Sequence, residues 1–201
     1  MADIVKTLRK ELRELNERIL NHPAVLQPTE KVLRGFVENQ LYIIPHDMRA
    51  LSFILSRSRE KDECSFFKIL VDGDYEAFKA LEELANELSI KFDYAKVSPR
   101  VVGYTHFLSW LALYGTPGDA AVAMVVNLPV WGENVKRLSA FAKSLGLKSI
   151  RLFELFAGPF DMLERSAEII ADRYKNLERY KFVARAIQQY ELDFWDGLLQ
   201  S

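Results

Sequence analysis

The sequence has only one cysteine, Cys64, so no internal disulfide can form, and that economy of thiols fits a reducing compartment, which places the expected localisation in the cytoplasm. It also lacks a long apolar run. The longest, around Ala120 to Val126, falls far short of the roughly 20 residues of a membrane span, so no membrane partner is expected. Neither sign of charge dominates: 27 Lys and Arg face 28 Asp and Glu, scattered along the chain. Without a basic stripe or tail, a nucleic-acid partner has no electrostatic support. Glycine (9) and proline (7) are few and stand at joints, and no repeat or low-complexity segment is present. The first twenty residues carry a charge every few positions, which does not read as a signal peptide.

Histidine is scarce too. His22, His46 and His106 form no pair at zinc spacing, and no Glu is followed three residues later by a His, as a di-iron bundle requires. The glycines at 73, 103, 115, 118 and 132 fit neither a P-loop nor a dinucleotide-binding turn, and there is no G-x-S-x-G elbow. The expectation is therefore a protein with no metal site and no cofactor.

What the chain does have is helical periodicity. Hydrophobic residues make up 49% of it, enough for a sizeable core in one domain over residues 1–201. Leu8, Leu12, Leu15 and Ile19 recur at helical spacing with charges between them, which predicts one helix from about Ile4 to Leu20, ended by Asn21-His22-Pro23. Pro28-Thr29-Glu30 opens a second, kinked at Pro45 and resuming through Leu55. Asp62 to Val71 and Tyr75 to Leu88 read as two helices parted at Asp72-Gly73-Asp74. Ser98-Pro99 starts the next, running to Gly115, and Thr116-Pro117-Gly118 begins one that continues or restarts after Pro129 towards Ser144. Segments at Ile150–Phe156, Phe160–Tyr174 and Leu177–Leu199 complete the count. Strict alternation is missing beyond short stretches, so the expected class is all-α: a bundle of seven to nine helices.

Three polar residues fall on inward faces. Glu191 lies within the stripe of Val183, Ile187, Tyr190, Phe194 and Leu198. Gln40 stands four residues after Phe36 and four before Ile44, and Tyr104 shares a face with Val101, Leu108 and Leu111. Each has a bland reading: a rim carboxylate held by an Arg or Tyr, a structural amide, a core phenol. Together they are also the lining of a site for a small polar-aromatic ligand, in which burial would raise the acid's pKa towards a useful value.

Several stretches in order carry a family resemblance: His22-Pro23 at a helix end, Phe36-Val-Glu-Asn-Gln-Leu-Tyr-Ile-Ile44, Tyr104-Thr-His-Phe-Leu108, Asn127-Leu-Pro-Val-Trp-Gly-Glu-Asn134, and Gln189-Tyr-Glu-Leu-Asp-Phe-Trp-Asp196. The chain resembles the TenA proteins over nearly its whole length. The resemblance implies the heme-oxygenase-like helical bundle shared with PqqC, usually as a homodimer or homotetramer, and apolar Phe66, Phe67 and Phe78 are candidates for such an interface. It also implies hydrolysis of aminopyrimidines from thiamine or its breakdown products, around a cysteine nucleophile, an aspartate and a glutamate. Glu191 matches the glutamate, Tyr104 the aromatic packed on the ring, and Tyr42 one of the tyrosines after the aspartate; Tyr190, beside Glu191, joins the ligand-binding set. Two positions depart. Gln40 stands where the family has its aspartate, and Val130 where it has its cysteine. A valine cannot attack a ring carbon, and an amide cannot hold a protonated ring nitrogen as a carboxylate does. Glu133, three residues after Val130, and Glu38 are the carboxylates that stand nearest to replace the nucleophile. Two readings follow: a TenA-type hydrolase or deaminase of a pyrimidine-like heterocycle using Glu191 and Glu133, or a non-catalytic ligand-binding or regulatory relative. Transcriptional activation finds no helix-turn-helix here.

Overall fold

The structure, a computed structural model, describes residues 3–200. Helix accounts for 81% of it, with no strand among the described residues. Eleven α-helices follow one another: α1 (Ile4–Glu11), α2 (Arg13–Leu20), α3 (Pro23–Leu26), α4 (Glu30–Arg57), α5 (Lys61–Glu87), α6 (Gly103–Tyr114), α7 (Pro117–Val126), α8 (Leu128–Ser144), α9 (Arg151–Leu155), α10 (Asp161–Tyr174) and α11 (Leu177–Gln200). The all-α expectation holds. No helix among the described residues is long and apolar enough to cross a membrane.

Local chemistry fixes many of the ends. Thr29 Oγ1 accepts the Val32 N–H at 3.2 Å to open α4, and Thr116 and Asp119 cap α7 reciprocally at 3.1 and 2.8 Å. His22 starts α3, its Nδ1 accepting from Ala24 N at 3.2 Å while Nε2 lies 3.0 Å from Asp196. The N-terminal helix bends at Leu12 into α1 and α2, but Asn16 N still reaches Leu12 O at 2.9 Å.

Two helices stay continuous where the sequence signals a kink or a break, and both matter for the site. α4 runs unbroken through Pro45, with Thr29 capping one end and thirteen of its residues buried to hold it. α5 likewise runs through Gly73, so the two helices read on either side of it are one. Glycine costs a helix interior about 1 kcal/mol against alanine, which burial of single core side chains at about 1.5–3 kcal/mol each readily offsets. Phe66, Phe67, Ala77, Ala80, Leu81 and Leu84 supply that burial on both sides of Gly73. Phe66 and Phe67 are thus core residues, 1% and 0% exposed, and not interface candidates.

α11 forms a central post. Trp195, fully buried, joins Phe36, Trp131 and Phe194 in an aromatic cluster whose neighbouring ring centroids lie 4.9 to 6.4 Å apart. α7 approaches its neighbours through small residues: a Cβ on Gly118 would meet Tyr180 Oη at 2.5 Å.

Candidate functional site

Between α4, α5, α6, α7, α8 and α11 lies a cavity of about 100 Å³. One face of α4 supplies Gln40, Ile43, Ile44 and Asp47, the spacing of a single helical stripe. α5 adds Asp74, α6 Tyr104, α7 Ala123 and Met124, and α11 Glu191 and Phe194. The junction of α7 and α8 gives Asn127, Leu128 and Trp131, and Phe156 comes from the end of α9. Four aromatic rings and four aliphatic side chains thus enclose three carboxyls.

Glu191 is 4% exposed. Its Oε1 accepts the Trp195 indole N–H at 3.1 Å, and Oε2 is sealed from solvent with no hydrogen-bond partner. Burial raises its pKa from 4.5 to about 7, offset in part by Trp195 and by the nearby Asn127 and Asn134 amides. Neither amide reaches full hydrogen-bonding geometry with Oε2. At neutral pH the carboxyl is therefore poised between its two protonation states.

The other two acids were not visible as site residues in the sequence. Asp47 is 7% exposed, and its Oδ1 has no partner. Asp74 Oδ2 is equally sealed, although the residue as a whole is only half-buried. Burial lifts Asp74 to about 7; burial first, and then the charge of Asp74, push Asp47 well above the ordinary carboxylate range. The buried Thr105 hydroxyl pulls weakly the other way. Tyr104 donates its hydroxyl towards the Met124 sulfur at 3.7 Å, and burial, then the three acids, hold its phenol firmly protonated.

Of the residues singled out from sequence, the structure brings Gln40, Tyr104 and Glu191 together on this wall. The rest lie elsewhere. Val130 packs into the core, 6% exposed, because the start of α8 turns Asn127 and Trp131 to the cavity, and Val130 is one residue out of phase with Trp131. Tyr190 packs beside Phe107, with ring centroids 5.4 Å apart. Tyr42 stacks on His46 at 4.0 Å and meets His106 Nε2 through its hydroxyl at 3.0 Å, outside the cavity. Glu133 is half-exposed with Arg137 Nε 3.6 Å away, and Glu38 is held by Lys96 Nζ at 2.8 Å. Cys64 is turned towards the Ser58 carbonyl at 3.7 Å. Neither Glu133 nor Cys64 lines the cavity beside Glu191.

The TENA/THI-4/PQQC family model matches residues 9–201. The chain belongs to this family. Among solved structures it is similar to a TenA homologue from Pyrococcus furiosus, with a TM-score of 0.80 and 18% identity over 97% of this chain and 99% of that one. It is also similar to a TenA family transcription regulator from a Silicibacter species, with a TM-score of 0.78 and 15% identity over 98% and 97% of the two chains. At those identities the likeness is one of fold, the heme-oxygenase-like bundle. A search of the curated proteins found no match.

Proposed function

We propose that this TenA-family chain hydrolyses or deaminates an aminopyrimidine, or a related small heterocycle, by attack of water with Glu191 as general base and then general acid. The observation that carries the reading is the Glu191 carboxyl: buried in an aromatic cavity, one oxygen fixed by Trp195, the other unpartnered, with a pKa of about 7. A ring stacked against Tyr104 would present its amine-bearing carbon to a water on Oε2. Glu191 takes a proton from the water as the C–O bond forms, then returns it to the departing nitrogen as the C–N bond breaks, releasing ammonia. Gln40 can accept from an amino group or donate to a ring nitrogen without carrying charge.

No cysteine, serine, threonine or lysine lines the cavity, which favours water over a side-chain thiol or hydroxyl as the nucleophile. The same composition supports a second reading, in which the cavity holds its ligand without turnover. Incubation with 4-aminopyrimidine and its 2-methyl derivative, followed by ammonia assay, separates the two. Release that disappears in Glu191→Gln supports hydrolysis; binding without release supports the second reading. The single thiol supports a cytoplasmic location, and family membership supports a homodimer or homotetramer.

A further inference from the structure

The chain gives two of its deeply buried carboxylates a cationic partner. Glu63, 1% exposed, is met by Arg173 at 2.7 Å and by the Tyr174 hydroxyl at 2.9 Å; Asp119, fully buried, is met by Arg179 at 2.8 Å. Asp47 and Asp74 receive no such partner. They come from α4 and α5, close enough that the charge of one disfavours ionisation of the other, and no Arg, Lys or His stands on the cavity wall beside them. Asp47 Oδ1 and Asp74 Oδ2 are sealed from solvent and unbonded. Burying two like acids without a counter-charge costs several kcal/mol, a burden that the same chain avoids at Glu63 and Asp119.

We propose that Asp47 and Asp74 form a cation subsite, which grips a protonated amine or amidinium carried on a small aromatic ligand. The charge missing from the protein is then supplied by the ligand, and the pair sheds its proton as the cation enters. The walls suit such a guest. Tyr104, Trp131 and Phe156 offer ring faces that stabilise both an aromatic body and a nearby cation. The cavity, about 100 Å³ against the ~150 Å³ that holds benzene, takes a single ring with one short arm only if its wall side chains shift outward. Asp47 and Asp74 stand on α4 and α5 and Glu191 on α11, so the two parts of the cavity wall come from different helices. The inference deepens the reading of this cavity as a ligand site, but it does not depend on the hydrolytic step.

The test compares benzylamine with benzyl alcohol, which match in shape and differ in charge, by isothermal titration calorimetry on the intact protein. Benzylamine should bind at least about tenfold more tightly, the value of one charge-assisted hydrogen bond. Asp47→Asn and Asp74→Asn should each erase that preference. Equal affinity of the wild-type protein for the two probes, or no binding of either, overturns the proposal without recourse to a variant. A preference that survives in both asparagine variants overturns it as well. Ammonia release from 4-aminopyrimidine is read separately, so loss of the hydrolytic reading leaves the benzylamine result standing, and the reverse.

Discussion

Trp195 stands one helical turn after Glu191 on α11, and its indole N–H, 3.1 Å from Oε1, is the only hydrogen bond the Glu191 carboxyl makes among the described residues. The donor lowers a pKa that burial raises, so the pair sets where the acid titrates. Trp195→Phe keeps most of the packing and removes the donor. The Glu191 pKa should rise, and the acid limb of the rate against pH, near 7, should move upward by about one unit. An unmoved limb would show that Trp195 holds the helix and nothing more.

Stability should fall as pH rises between 5 and 8. The folded-state pKa values of Glu191 and Asp74 lie near 7, above ordinary values of 4.5 and 3.8, so the folded protein holds protons the unfolded chain has released. The stability these groups contribute is present below their unfolded pKa values and is lost as pH climbs through 7. For Glu191 alone the difference is about 3 kcal/mol at pH 8. Asp62, Glu76 and Glu87 have lowered pKa values and titrate below this window, so they add no slope within it. Thermal melts at pH 5 and pH 8 check the sign, and Glu191→Gln should flatten the difference.

Gly73→Ala should stabilise the protein by about 0.5–1 kcal/mol, because the residue is inside a continuous helix. A Cβ there meets nothing within 4 Å. If Gly73 marked a break between two helices instead, the substitution would not raise the melting temperature.

Half of the site was legible in the sequence, and the other half was hidden by two residues. Gln40, Tyr104 and Glu191 are polar positions on apolar stripes, and period alone turns them inward. Asp47 continues the stripe of Gln40, Ile43 and Ile44, yet it lies two residues past Pro45, where a kink resets the phase on paper; in the structure α4 keeps its phase. Asp74 follows Gly73, and Asp-Gly-Asp reads as a turn, although burial on either side carries α5 straight through. Val130 failed for another reason. The Leu-Pro pair matches the family by order, whereas the wall is decided by where α8 starts, and that gives it to Asn127 and Trp131. Fold was the easier level because it depends on many stripes at once, and the site depends on the exact phase of each.

Asp47→Asn should leave the fold intact and raise the melting temperature at pH 8, since it removes one of two like acids that are buried without a cation. A large loss of stability would show that the carboxyl is held by contacts of the fold itself.

The central claim is that Glu191 performs general acid-base chemistry in this cavity. Its most direct measurement is the rate of ammonia release from an aminopyrimidine, such as 4-amino-2-methylpyrimidine, by the wild-type protein and by Glu191→Gln at matched ligand occupancy. The account predicts release by the wild-type protein and a loss of about 10²–10⁴-fold in the variant, with binding weakened far less. Equal rates in the two proteins would contradict it.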